Sequence, residues 1–156
     1  MAGKLEQQLK KKRSFDTPQQ SVIVGLLRTN DLFQYRFGKL FREYGLTQPQ
    51  YNVLRILRGE GKPLPCLEIA SRLITMVPAI TSLIDKLEKR SLVTRQRCNH
   101  DRRVWYIGIT EAGLTLLSEM DEPVTALHNE LCQGLSDEEC RQLVELMEKA
   151  RDGIAS

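Results

Sequence analysis

The chain has no CxxC pair, only two histidines (His100 and His128), and four cysteines scattered at positions 66, 98, 132 and 140. A structural zinc site needs three or four ligands at short, paired spacings, and a disulfide framework needs a denser set of cysteines. Neither fits, so no metal and no cofactor is expected, and the thiols read as free and buried. There is no apolar core for a signal peptide behind the basic start MAGKLEQQLKKKRS. The longest apolar run, VIVGLL, is far too short to span a bilayer. The expectation is a cytoplasmic protein with no membrane partner. No nucleophile–base pair, phosphate loop or pair of carboxylates stands out, so the reading is not an enzyme and no residue is assigned as catalytic.

What the chain does have is charge kept in separate places. The formal net charge is only +3 over 156 residues. Residues 1–59 hold 11 Lys/Arg against 4 Asp/Glu, residues 60–110 hold 9 against 5, and residues 111–156 hold 3 against 11, giving +7, +4 and −8. A basic portion set apart from an acidic one is the electrostatic footprint of nucleic-acid binding.

The hydrophobic period is mostly helical. Thr17-Pro18-Gln19-Gln20 reads as a helix start, with Thr as the cap, Pro in the first turn and Gln closing a capping box. Ile23, Leu26, Leu27, Phe33, Phe37, Leu40, Phe41 and Tyr44 then follow at helical spacing up to Gly45. Thr47-Gln48-Pro49-Gln50 repeats the start signal, and GEGKPLP ends the second helix. A short helix over about 66–73, burying Leu67, Ile69, Ala70 and Leu73, and a second over about 77–90 are joined by a tight turn, which is a helix-turn-helix.

From Leu92 the period becomes two. LVTRQR and VWYIGIT are β-rich around a turn-like NHDR, so a hairpin follows the second helix directly. That combination is a winged helix. Thr110 caps a helix from Glu111 that Pro123 should kink, because proline lacks an N–H and clashes with the preceding turn. Ser136-Asp137-Glu138-Glu139 opens a last helix carrying Cys140, Leu143, Val144, Met147 and Ile154 on one face. The fold class is mainly α with a small β-hairpin wing. Residues 1–45 form an N-terminal arm and dimerisation helix, 46–110 the winged helix-turn-helix, and 111–156 C-terminal dimerisation helices. The outer apolar stripes are too long for one small winged helix to cover, which predicts a homodimer.

With Ile80, Leu83, Ile84 and Leu87 as its buried stripe, the helix 77–90 turns Thr75, Pro78, Ser82, Asp85, Lys86 and Lys89 outward, with Ala79 and Thr81 at the borders. Small and hydroxylated groups suit base edges and thymine methyls, and lysines suit phosphates. Asp85 is the awkward member and needs Lys89 or a wing arginine as a partner. In the stretch RCNHDRR, with the strand before it, Arg95, Arg97, Arg102 and Arg103 read as wing groups that reach DNA, and Asp101 as the residue that orients them.

The stretches GLTQPQYNVLRIL, LEIASRL, ITSLIDKLEKRSLVTR, HDRR and ITEAG resemble those of MarR-type transcription regulators. The resemblance runs from about residue 20 to the end. Its most specific part is 67–113, where Asp101-Arg102-Arg103 meets the family's Asp-x-Arg wing pattern. It implies a homodimeric winged helix on inverted-repeat double-stranded operators, usually a repressor and often relieved by a small aromatic effector. By position, Phe37, Tyr44 and Tyr51 are the candidate effector residues, though each reads first as plain core rather than as ligand wall. Two departures stand out: Ser91 replaces the usual glycine before the wing, and ITMVP replaces a glycine-containing turn. The alternatives are a winged helix used for protein contact and a redox-responsive regulator acting through Cys98.

Overall fold

The computed structural model describes residues 3–154, which divide into two compact units with the boundary between Lys39 and Leu40. The first unit holds a short helix, α1 (Lys4–Gln8), that the sequence pattern did not suggest, and most of α2 (Pro18–Glu43). The start signal of α2 is shifted by one residue from the expected box. Thr17 Oγ1 accepts the Gln20 N–H at 3.1 Å, but the Gln20 side chain reaches back to the N–H of Asp16, at 2.8 Å, rather than to that of Thr17.

The second unit contains α3 (Gln48–Glu60), β1 (Leu64–Pro65), α4 (Cys66–Ser71), α5 (Ile80–Lys89), β2 (Val93–Arg97), β3 (Trp105–Ile109), α6 (Glu111–Leu131) and α7 (Asp137–Asp152). The capping boxes expected at Thr47 and Ser136 are both formed, with Gln50 and Glu139 as their reciprocal partners. Helix α6 runs through Pro123 without interruption. The core sits where α3, α5, α6 and the sheet meet, on Val53, Leu54, Leu57, Ile84, Leu87, Val93, Ile107, Leu117 and Met120. Each side chain of this size, fully buried, contributes roughly 1.5–3 kcal/mol.

The hairpin of β2 and β3 forms as the sequence predicts, and β1 adds a third antiparallel strand in the order β1-β3-β2, because Leu64 and Pro65 pair with Ile107 and Tyr106. Pro65 is tolerated because β1 is an edge strand. Three expectations are corrected. The second helix of the helix-turn-helix begins at Ile80, not near Val77, so Thr75 and Pro78 lie in the preceding loop and Ala79 is the cap residue. Proline drives the residue before it out of the helical region, and Ala79 offers no side-chain acceptor to start a turn earlier. Helix α4 stops at Ser71, which leaves Leu67 82% exposed and Leu73 beyond the helix. Ile154 falls past the end of α7 and is exposed.

Ser91 explains itself structurally. Its φ is +59°, the left-handed region that favours glycine. The Leu92 N–H donates to the Leu87 carbonyl at 3.1 Å and the Ser91 N–H to the Glu88 carbonyl at 2.8 Å. These are the two bonds of a Schellman ending, whose left-handed residue is usually glycine. Gly113 is constrained by space instead: an added Cβ would lie 2.6 Å from the Leu92 carbonyl oxygen and 2.7 Å from Ile109 Cγ1.

Ser91→Gly is expected to raise stability by about 0.5–1 kcal/mol, the relief of the left-handed cost less the extra chain entropy of glycine. Gly113→Ala is expected to lower it by about 1–3 kcal/mol through overpacking. Urea unfolding midpoints at unchanged m-value check both, and a destabilised Ser91→Gly chain would contradict the conformational account.

Candidate nucleic-acid interface

Helix α5 buries Ile84 and Leu87 and exposes Thr81, Ser82, Asp85, Lys86, Glu88 and Lys89. Ahead of it, Thr75, Pro78 and Ala79 are exposed in the loop. So are Ile74 and Met76, which sequence reasoning misses because an apolar residue in a helix-turn-helix reads by default as core. Their signal is the glycine-free ITMVP sequence itself: a run this apolar, placed in a turn, has nowhere to bury every side chain.

The carboxylates on α5 do not stand bare. Arg95, on β2, forms ion pairs with Asp85 at 2.5 Å and with Glu88 at 2.9 Å, and its guanidinium also reaches the Thr81 carbonyl at 3.4 Å. Its side chain is only 18% exposed. Burial opposes its charge, but the hydrogen bonds and fields of Asp85 and Glu88 outweigh that and hold it protonated more firmly than usual. The sequence left Asp85 with two partners, and the structure pairs it with the wing arginine. Arg95, counted among the outward-reaching cations, is turned in against α5.

The other wing cations differ from one another. Arg97 is paired across the sheet with Trp105 and lies 4.7 Å from its ring centroid, a cation–π contact. Beyond them the wing tip closes through Cys98 N–H to the Val104 carbonyl at 3.0 Å and Val104 N–H to the Asp101 carbonyl at 3.1 Å. Asp101 Oδ1 accepts the Arg103 N–H at 3.0 Å and faces Arg103 Nε at 3.3 Å. Arg103 is 91% exposed, and Arg102 is exposed beside it. Cys98 is half-buried and accepts the His100 N–H at 3.4 Å. Burial pushes the Cys66 thiol up, and burial with the neighbouring Cys132, Asp137 and Glu139 does the same to Cys140.

Elsewhere in the second unit, Tyr51 is 8% exposed and stacks on Phe41 with ring centroids 4.3 Å apart, while Tyr44 is half-buried. In the first unit Phe37 is half-buried. Among the described residues no group of three or more His, Cys, Asp or Glu could hold a metal ion, and no helix is long and apolar enough to cross a membrane.

An exposed, partly basic helix face beside a tethered basic wing is an arrangement able to enter a groove and grip the flanking phosphates. The MarR family matches residues 46–105, the stretch that carries this arrangement. The transcriptional regulator MhqR of Bacillus subtilis (strain 168) is 31% identical over 112 residues, covering 72% of this chain and 77% of that one. The crystal structure of a MarR transcription factor from Planctomyces limnophilus is 38% identical with a TM-score of 0.69, over 86% of this chain and 98% of that one. The MepR–DNA complex of S. aureus has the same fold at 23% identity and a TM-score of 0.73, over 83% and 96%. The chain belongs to the MarR family of winged-helix, DNA-binding transcription regulators.

Proposed function

We propose that the protein is a homodimeric repressor that binds an inverted-repeat operator, with α5 in the major groove and the wing tip on phosphates or in a minor groove. The observation that carries this is the pairing of both Asp85 and Glu88 with Arg95, whose positive charge offsets one of their two negative charges. With both acids engaged by that one arginine, Lys86, Lys89, Arg97, Arg102 and Arg103 are the exposed cations of α5 and the wing. On α5 itself Thr81 and Ser82 supply hydroxyls, and Thr75, Pro78 and Ala79 supply small contacts from the loop. Arg97, lying over the Trp105 ring, is exposed at the last strand pair before the wing tip.

Dimerisation rests on exposed apolar side chains that a soluble monomer seldom displays in such numbers. On α2 these are Val22, Ile23, Leu26 and Leu27, and on α7 Leu143, Val144 and Leu146. A second copy would cover them and place two α5 helices about 34–36 Å apart, one duplex turn. A small aromatic effector belongs to the same reading by resemblance; of its three candidate residues, Tyr51 now reads as core.

Selection of bound fragments from random duplex DNA should return an inverted repeat, and light scattering should give twice the chain mass. Operator binding should weaken with salt, and Arg103→Ala should lower the slope of log affinity against log salt by about 0.9 for each phosphate contact released. An unchanged slope would remove Arg103 from the interface.

Arg95→Met should weaken operator binding by about tenfold or more, equivalent to about 1.4 kcal/mol, because two carboxylates then face the duplex unpaired. Adding Asp85→Asn and Glu88→Gln to that variant should recover most of the loss. If Arg95 instead touches phosphate directly, the added changes will recover little.

A further inference from the structure

The cations Lys10, Lys11, Lys12 and Arg13 take no part in the winged helix, yet the chain holds them in a built turn. Glu6 organises it. One carboxylate oxygen accepts the Phe15 N–H at 3.0 Å, the other accepts the Gly3 N–H, and the residue is 7% exposed. The Lys10 N–H donates to the Gln7 carbonyl at 3.1 Å and the Lys11 N–H to the Glu6 carbonyl at 2.9 Å, which brings the chain round after α1. Lys10 sits at φ +52°, a left-handed conformation unfavourable to a side chain of its kind. The Lys11 ammonium lies 5.0 Å from the centroid of the Phe15 ring.

All four cations are exposed, and among the described residues no carboxylate forms an ion pair with any of them. Glu6, the one acid in residues 1–15, is committed to backbone N–H groups. The Glu6 capping box and a Schellman ending at Lys10 close the two ends of α1 and set where the run that follows begins. Four successive cations without a carboxylate partner, anchored by backbone bonds at Lys10, Lys11 and Phe15, suit a ligand whose own negative charges are regularly spaced. Duplex DNA, with one phosphate charge per roughly 1.7 Å of axis, is such a ligand.

We propose that residues 10–13 form a second phosphate-binding site, which engages duplex DNA in addition to α5 and the wing. This rests on the reading of the protein as a DNA-binding dimer. The site reads no base sequence. It raises affinity for any duplex and makes that affinity more sensitive to salt.

The test compares the full-length protein with a variant carrying Lys10→Gln, Lys11→Gln, Lys12→Gln and Arg13→Gln. A second variant with Lys10→Arg, Lys11→Arg and Lys12→Arg retains the charge. Binding to the selected operator within a longer duplex is followed by fluorescence polarisation across a salt series. At about 0.9 per phosphate and two arms per dimer, the glutamine variant should lose about two or more from the slope. The arginine variant should keep it. Equal slopes for the wild type and the glutamine variant overturn the inference. So does a glutamine variant that light scattering finds monomeric, since the run would then be a subunit contact, met by acidic groups of a second copy. A wild type that binds no duplex in a salt-dependent way overturns the proposed function itself, whereas binding with an arm-independent slope overturns this inference alone.

Discussion

Four elements are tied together at two residues, Ser91 and Leu92, and the geometry of the whole interface hangs on that knot. Helix α5 ends there in a Schellman pair of hydrogen bonds, and β2 begins at Val93. The Ser91 carbonyl accepts the Thr110 hydroxyl at 2.7 Å, and the Leu92 carbonyl accepts the Thr110 N–H at 3.1 Å. Thr110 is the residue after β3, and its hydroxyl oxygen also accepts the Gly113 N–H, at 3.1 Å, to start α6. One reversal therefore sets the direction of α5, both long strands of the wing and the first turn of α6. The pressing of Gly113 against the Leu92 carbonyl follows from the same closeness. A hydroxyl that both donates to the end of one element and caps another satisfies groups on two elements at once, which is how so short a segment can be so strongly specified.

That frame puts Arg95 within reach of α5, and the electrostatics follow. Asp85 and Glu88 are three residues apart, so they share one side of the helix. Residues of β2 alternate in direction, and Arg95, register partner of the buried Ile107, points to the same side of the sheet as the core. An arginine there cannot reach outward, and its stem packs while its head takes both carboxylates. The pairs are partly buried, with Arg95 mostly covered and the acids about half exposed, so their net contribution to stability is modest. Their effect on an approaching polyanion is larger, since the guanidinium offsets one of the two negative charges on the helix that meets it and engages both carboxylates.

Much of this was legible from residue types. Thr47, Thr110 and Ser136 announced helix starts that the structure keeps, because a cap is a local bond between a side chain and the next three N–H groups. The switch of period at Leu92 announced the wing. Local rules fail where partners are distant in sequence. The pairing of Leu64–Pro65 with β3 is set from more than forty residues away and spans two residues, too few to show an alternation. Apolar spacing places the start of α5 too early because it runs on through Val77, while Pro78 and the uncapped Ala79 withhold the helical turn. The turn at residues 10–13 is hidden for a similar reason: a five-residue helix closed by a single carboxylate leaves no periodic trace.

The arginines of the wing share a residue type but not a physical state. Arg95 is locked by two carboxylates, Arg97 is laid on an indole ring, Arg103 is steered by Asp101 through its backbone and its Nε, and Arg102 has no ion pair among the described residues. Freedom thus increases from the base of the wing to its tip. An arginine held fixed loses little further entropy on meeting a ligand but can meet it only where it already points. A free one adapts to the position of a phosphate and loses side-chain freedom in doing so. The base of the wing is therefore suited to fixing the shape of the interface, and the tip to accommodating variation in groove width from one duplex to another. Asp101 makes the compromise at Arg103: it restrains the first bond vectors of the side chain and leaves the far end of the guanidinium exposed to bind.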